Sequence, residues 1–389
     1  MIQDTMGIAV VLIAVIAVSL WLCDRFRWAA QLSSVVWILM LAAVVSNLGV
    51  IPLEADLYGQ LAGFTVPFAV ALILMKVNLG DLRQAGKAMS VAFLLACVGT
   101  VIGVLIAGFA LDAFLEPAIG PDRWKIAGPY AGTYIGGSLN FFALWAGLDI
   151  GQPDLFAAAN AVDNLSLVVL LAFWMLVPSF LGHRFPVSER WHTSAPDEEE
   201  SAGATEEEKP RLVTADVAAL CLAALFVMWS SEWITTHWIH PWAPNVPSIL
   251  VVTTMALALG QLPAVARLEG AWEIGNLAFY LFFAAVGAMI HIYNAVVLSP
   301  VLFAYVMIVI PIHMAFIYGV GRWLRMDVGL LTIASAAAKA GPPLVLAIAE
   351  SRGWKRFELS GVLVGLLGYA AGNYVGFAVA YLMRSLVGG

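Results

Sequence analysis

Asn160, Asp163 and Asn164 stand at i, i+3 and i+4 inside an apolar run that begins near residue 154. That spacing puts all three on one face of a helix. A carboxylate flanked by two amides in lipid can hold a proton, bind a cation or pair with a cationic side chain. The matching ionisable group is Lys339, in the middle of "LLTIASAAAKAGPPLVLAI". Three chemistries are open to it. Its amine can give up its charge and carry a proton, its ammonium can stand where a sodium ion would sit, or it can form a structural ion pair with Asp163.

Two short segments are odd in the same way. "GTYIGGSLN" (Gly132–Asn140) and "SAAAKAGPP" (Ser335–Pro343) place glycine, polar and proline residues inside apolar runs. An unsatisfied backbone group in lipid costs several kcal/mol, so irregular backbone survives there only inside protein or beside a cavity. Pro342–Pro343 removes two backbone donors and cannot continue a regular helix. Both segments predict broken helices whose half-helix ends present free N–H and C=O groups to an ion or solute. Close helix packing through small residues is the alternative. Tyr134 and Trp145 are the aromatics expected near a substrate. His313 follows Pro311 and reads as a histidine satisfied by a kinked backbone more readily than as a proton relay. His291 reads as interfacial, and Glu350, Arg352, Lys355 and Arg356 read as a solvated loop.

The elements that must position these residues follow from composition. The chain has 389 residues, 62% hydrophobic and 12% charged, with a mean hydropathy of +0.90. A soluble domain carries roughly 25% charged residues. Apolar runs long enough to cross a bilayer recur throughout. They lie at about 6–23, 34–52, 61–77, 88–114, 127–148, 154–181, 214–234, 248–263, 275–294, 298–323, 327–349 and 357–385. The fold class is therefore an all-α polytopic membrane protein with 11 to 12 transmembrane helices. The N-terminal run has no basic leader and no cleavage site, so it reads as a retained span. The net charge of −7 comes from "DEEE" and "EEE" in the stretch 183–212, a hydrophilic linker that cannot bury a core. Nothing in the charge pattern suggests a nucleic-acid surface. Cys23, Cys97 and Cys221 have no CxxC spacing and read as small buried hydrophobes, with no metal set.

The linker separates a first repeat, 1–182, from a second, 213–389. "PFAVALILMKVNL" answers "AFYLFFAAVGAMI", and the first glycine-rich break answers the second. The last span of each half carries an Asn, Asn164 and Asn373. Such repeats mark secondary transporters, with the site at the repeat interface. Placing Arg25, Arg27, Lys76, Arg83, Lys87, Arg322, Arg325 and Arg384 on the inside suits inverted repeats. Parity does not: halves with an even number of spans cannot be inverted. The segment 214–243, with Glu232 and "EWITTHWIHPW", is the expected exception.

"GTYIGGSLNFFAL", "AAANAVDNLSLVVLL", the Gly-Pro break after "LLTIASAAAKA", and "GVLVGLLGYAAGNYVGFAVAYL" together resemble the YjcL-like family of membrane proteins, domain of unknown function 819. The resemblance covers about residues 8–385. The family is grouped with cation:proton antiporters and with bile-acid:sodium and glutamate:sodium symporters. The resemblance implies two inverted repeats, a panel domain, and a core domain where two unwound helices cross. By matching positions, the first crossing helix holds Gly136, Gly137, Ser138 and Asn140, and the second holds Ser335, Gly341 and Pro342. The flanking helices supply Asp163, Asn164 and Asn373. It also implies a multi-pass protein of a bacterial inner (plasma) membrane. The chain departs from the family where Ala338 replaces an Asn and Lys339 enters, which argues against a conventional sodium site.

The expected function is a secondary active transporter that moves a small solute by alternating access. The solute is an organic anion, drawn by half-helix N-termini and Lys339. The coupling ion is H+ rather than Na+, and no other cofactor is implied. A cation:proton antiporter without organic substrate would use the same residues. An enzyme is disfavoured, since HExxH, GxSxG with a His, and GxGD are absent from the sequence. No GxxxxGK[ST] loop occurs, so transport would run on gradients. The partners are membrane lipid and the small-molecule or ion substrate, and a homodimer is compatible with the chain.

Overall fold

The computed structural model describes residues 2–26, 29, 34–80, 84–182, 185, 213–244 and 246–387. Apart from Phe185, the linker 183–212 lies outside the described residues, as do Arg27 and Arg83. Among the described residues all regular structure is helical. The first half comprises α1 (Thr5–Arg25), α2 (Ser34–Asn47), α3 (Asp56–Leu74), α4 (Gly86–Ala110), α5 (Asp112–Ile119), α6 (Ala127–Gly147) and α7 (Pro153–Leu181). The second comprises α8 (Thr214–Ile234), α9 (Ser248–Gly260), α10 (Ala271–Ala288), α11 (Ile292–Trp323), α12 (Val328–Ala340), α13 (Pro342–Arg352) and α14 (Glu358–Val387). Of these helices, 8 are long and apolar enough to cross a membrane, and α2, α9 and α12 are shorter apolar helices. The protein is an all-helical, multi-pass membrane protein. Val10, Ile13, Leu222 and Phe226 stand exposed on α1 and α8, as lipid-facing side chains do.

Local chemistry sets the helix ends. Asp4 caps α1 by accepting from the Gly7 N–H at 2.7 Å. Asp327 caps α12 by accepting from the Gly329 N–H at 2.6 Å, and its other oxygen pairs with Arg356 at 2.6 Å. Pro153 opens α7, where its missing N–H is harmless.

α6 is 21 residues long, and as a straight helix it would separate its ends by about 30 Å. It does not run straight. Gly136 (φ −144°, ψ 24°) and Gly137 (φ 73°, ψ −178°) break it, and the chain turns back on itself. Lys125 Nζ donates to the Asp149 carbonyl at 3.4 Å across the open end. A Cβ on Gly128 would come within 2.7 Å of Leu148, and one on Gly132 within 3.3 Å of Asn140 Cβ. The second break behaves alike. Gly341 (φ 68°, ψ −166°) ends α12, and α13 returns beside it. Gly329, at the start of α12, lies against the Trp354 ring just beyond α13. The breaks thus fall where the sequence put them, but the expected pair of crossing broken helices is replaced by two helical hairpins.

The hairpins enter from opposite sides. The open end of the first lies with Gln152, Ile119 and Arg123, and Arg123 Nη2 donates to the Val387 carbonyl at 3.4 Å. The start of α11 is there too, since the His291 N–H donates to Asp154 Oδ1 at 2.5 Å. The open end of the second hairpin lies with the end of α7, where Arg352 donates to Ser179 Oγ at 2.9 Å and to the Met175 carbonyl. The helices long and apolar enough to cross a membrane are α1, α3, α4, α7, α8, α10, α11 and α14. The segment expected to be exceptional, 214–243, holds the regular α8 and a π-helical turn at Thr235–Ile239. The exceptions are the two hairpins.

Packing divides the helices. α3 packs on α10 and α9, with α1, α2 and α8 outside them. α14 packs along α6, and α11 along α4 and α7, with α12 between α4, α6 and α14. Gly361 and Gly365 of α14 admit Val345 and Pro342 of the second hairpin. Gly368, Gly372 and Gly376 admit Gly136, Asn140 and Leu144 of the first.

Candidate functional site

The two hairpin tips meet in the middle of the protein. A Cβ on Gly137 would stand 3.6 Å from the Lys339 carbonyl oxygen and 3.4 Å from the Tyr369 ring. The Tyr369 hydroxyl faces Gly341. Positive φ at Gly137 and Gly341 is a conformation that only glycine adopts without strain. Both reversals therefore depend on the residue type at their tips.

Beside the tips lies a buried ion pair. Lys339 Nζ is 2.5 Å from Asp163 Oδ1, and the two side chains are 5% and 3% exposed. Thr133 Oγ1 joins them, donating to Asp163 Oδ2 at 3.2 Å and accepting from Lys339 Nζ at 3.0 Å. The Tyr134 ring lies 4.4 Å from Nζ, a cation–π contact. The ammonium is thus held by a carboxylate, a hydroxyl and a ring face from α7 and α6. Its charge is compensated where it sits, which a buried ammonium requires.

A second polar chain ties α12 to its neighbours. Thr100 Oγ1 donates to the Tyr134 carbonyl at 3.2 Å, which spends its proton. His313 Nδ1, 2.9 Å from Thr100 Oγ1, must then be the donor in that pair. His313 Nε2 is left to accept from Ser335 Oγ at 2.8 Å, and Ser335 Oγ accepts from Trp174 Nε1 at 3.0 Å. His313 therefore has side-chain partners at both ring nitrogens, besides a backbone hydrogen bond to Ala96 of α4.

The predicted residues separate as follows. Asp163 and Lys339 come together, with Gly136, Gly137 and Gly341 at the tips above them. Pro342 packs on Gly365 of α14. Asn164 Nδ2 donates to the Asn160 carbonyl at 2.8 Å, within the turn that carries Asp163. Asn160 is buried and Ser138 is exposed. Ser335 lies in the His313 chain. Asn140 and Asn373 face a different place, a small cavity of about 10 Å³ lined also by Val70, Ile73, Phe279 and Tyr369. Asn140 Nδ2 donates to the Gly368 carbonyl at 3.2 Å. Trp145 does not reach the tips. The reversal carries it back to the open end, where its Nε1 donates to the Ile150 carbonyl at 2.8 Å. Thr133 and Tyr369 escaped the sequence reading. Thr133 stands one residue before Tyr134, and a threonine next to a break was the available signal.

Comparison with known proteins agrees with this placement in the membrane. Residues 10–386 match the family described as "Protein of unknown function (DUF819)". The chain is similar to the "Uncharacterized membrane protein YjcL" of Bacillus subtilis (strain 168), 28% identical in an alignment of 372 residues that covers 92% of each chain.

Proposed function

The chain belongs to the DUF819 family of membrane proteins, and on that premise we propose that it is a secondary active transporter of a small organic anion, coupled to protons rather than sodium. One observation carries the reading: two re-entrant hairpins whose tips meet beside a buried Asp163–Lys339 pair. Half-helix ends at membrane depth are costly unless they serve a cavity or an ion.

The topology supports inverted repeats. Counting the shorter α2 and α9 with the eight longer helices gives five crossings in each half, α1–α4 and α7 in the first and α8–α11 and α14 in the second, an odd number in each. The halves then start on opposite sides, and the parity conflict disappears. On this reading α1–α3 and α8–α10 form a panel, the hairpins with α4, α7, α11 and α14 form the moving core, and the cavity lies on their seam. The positive-inside rule puts the side bearing Arg25, Lys76, Lys87, Arg267, Arg322, Arg325 and Arg356 in the cytoplasm. Arg384 belongs to the other side, since its guanidinium lies 5.3 Å from the Trp124 ring near Arg123.

Proton coupling is supported by what surrounds Asp163. Lys339 Nζ stands on one oxygen and Thr133 donates to the other, so a sodium ion would have to displace a tethered ammonium. The small cavity favours a second reading, cation:proton antiport, because it holds about one water and no organic solute without opening. Reconstituted protein on a supported membrane separates the two. Carboxylates and Na+ or K+ are applied with and without a pH gradient, for wild type, Asp163→Asn and Lys339→Ala. A carboxylate-evoked, pH-dependent current lost in Asp163→Asn supports the transporter. A response to cations alone supports the antiporter. A current untouched by both substitutions refutes the site.

A further inference from the structure

We propose that the solute carries a hydrogen-bond donor beside its carboxylate, as a hydroxy acid or amino acid does, and that Asn373 Oδ1 selects for it. This rests on the anion-transporter reading above. The inference starts from an orphaned atom. Asn373 is 1% exposed on α14, and its Oδ1 is buried without a hydrogen-bond partner. The orientation of its amide is fixed by its neighbour. Thr253 Oγ1 donates its only proton to the Ile249 carbonyl at 2.8 Å, so it can only accept from Asn373. Asn373 Nδ2 donates to it at 3.0 Å, and Oδ1 is left on the other side of the amide.

Native proteins leave few buried acceptors unpaired, because each costs its desolvation. Asn373 lines the seam cavity together with Leu139 and Asn140, which belong to the first turn after the Gly137 reversal. That first turn has N–H groups with no partner of their own within the returning limb, and it favours negative charge. Because Leu139, Asn140 and Asn373 line one cavity, the carboxylate those amides favour and the donor that Asn373 Oδ1 lacks are assigned to one small molecule. A bare carboxylate would meet the Oδ1 lone pairs with nothing to offer. The cavity walls are otherwise apolar, Val70, Ile73 and Phe279, and the cavity must open to admit any organic solute.

The test uses matched probes on the full-length protein in proteoliposomes: lactate against propionate, and glycolate against acetate. Each pair differs by the donor. Uptake or substrate-evoked current is expected to favour lactate over propionate by about tenfold, the worth of one hydrogen bond at the upper end of the usual range. Asn373→Leu should bring the ratio near one. Thr253→Val keeps Asn373 but frees its amide to turn, so the ratio should fall while the protein still folds and transports. Equal handling of lactate and propionate by wild type would overturn this inference and leave the anion reading intact. A lactate preference unchanged in both variants would overturn the role of Asn373. No response to any carboxylate, with a response to cations, would overturn the anion reading and this inference with it.

Discussion

Asp163→Asn should cost the folded protein about 3 kcal/mol, the lower part of the range for breaking a buried ion pair. The structure sets that magnitude. The Lys339 ammonium would stay 5% exposed beside a neutral amide, keeping only the Thr133 hydroxyl and the Tyr134 ring. Lys339→Met should cost a similar amount, by leaving the Asp163 carboxylate with Thr133 alone. The double variant should cost about 3 kcal/mol rather than about 6, because removing both charges leaves neither uncompensated. The coupling energy is then about 3 kcal/mol, large for a contacting pair. Reversible unfolding by SDS in mixed micelles, followed by circular dichroism, measures all four corners of the cycle. A double variant equal to the sum of the singles within about 0.5 kcal/mol would refute the pair. Uptake by the double variant asks a separate question. If the pair is the carrier of the proton, the double variant folds and is silent. A double variant that transports with an unchanged pH dependence would reduce the pair to a brace.

Other perturbations read other parts of the arrangement. Gly341→Ala should destabilise more than Gly137→Ala in the same SDS assay: both strain a positive φ by about 1–2 kcal/mol, but only at Gly341 does the new methyl collide with Tyr369. Ser335→Ala should cost about 1–3 kcal/mol, since Trp174 Nε1 loses its acceptor and His313 Nε2 its donor. Trp174→Phe placed on top of Ser335→Ala should add less than it costs alone. Single cysteines at Asp149 and Arg356 should react with a membrane-impermeant maleimide from opposite faces of the membrane. Labelling of both from one face would sink the hairpin topology.

Much of the chemistry was legible in the sequence, and the path of the chain was not. Asp163 and Lys339 stood out because charge in an apolar run is expensive and needs a reason. Gly136–Gly137 and Gly341–Pro343 stood out because they cannot continue a helix in lipid. Composition cannot say whether a broken segment goes on or turns back. Residues 127–148 are long enough to cross a membrane either way, and only contacts between residues near their two ends, such as Lys125 with Asp149, decide. That one ambiguity produced the crossing geometry expected of the two breaks and the site role expected of Trp145. His313 is a satisfied histidine, as expected, but its partners, Thr100, Ser335 and the Ala96 backbone, lie on other helices, where sequence spacing gives no guide.

The glycine face of α14 has a mechanical consequence. Gly361 and Gly365 seat the second hairpin, and Gly368, Gly372 and Gly376 seat the first, along one unbroken helix. α14 is therefore a common axle. Neither hairpin can shift along it without dragging its backbone past the seat, so a push on one tip is delivered to the other through the shaft. If the protein carries a solute as proposed, the two ends of the site would move as one frame, and the sliding surface would be the seam with α3 and α9 rather than the interior of the core.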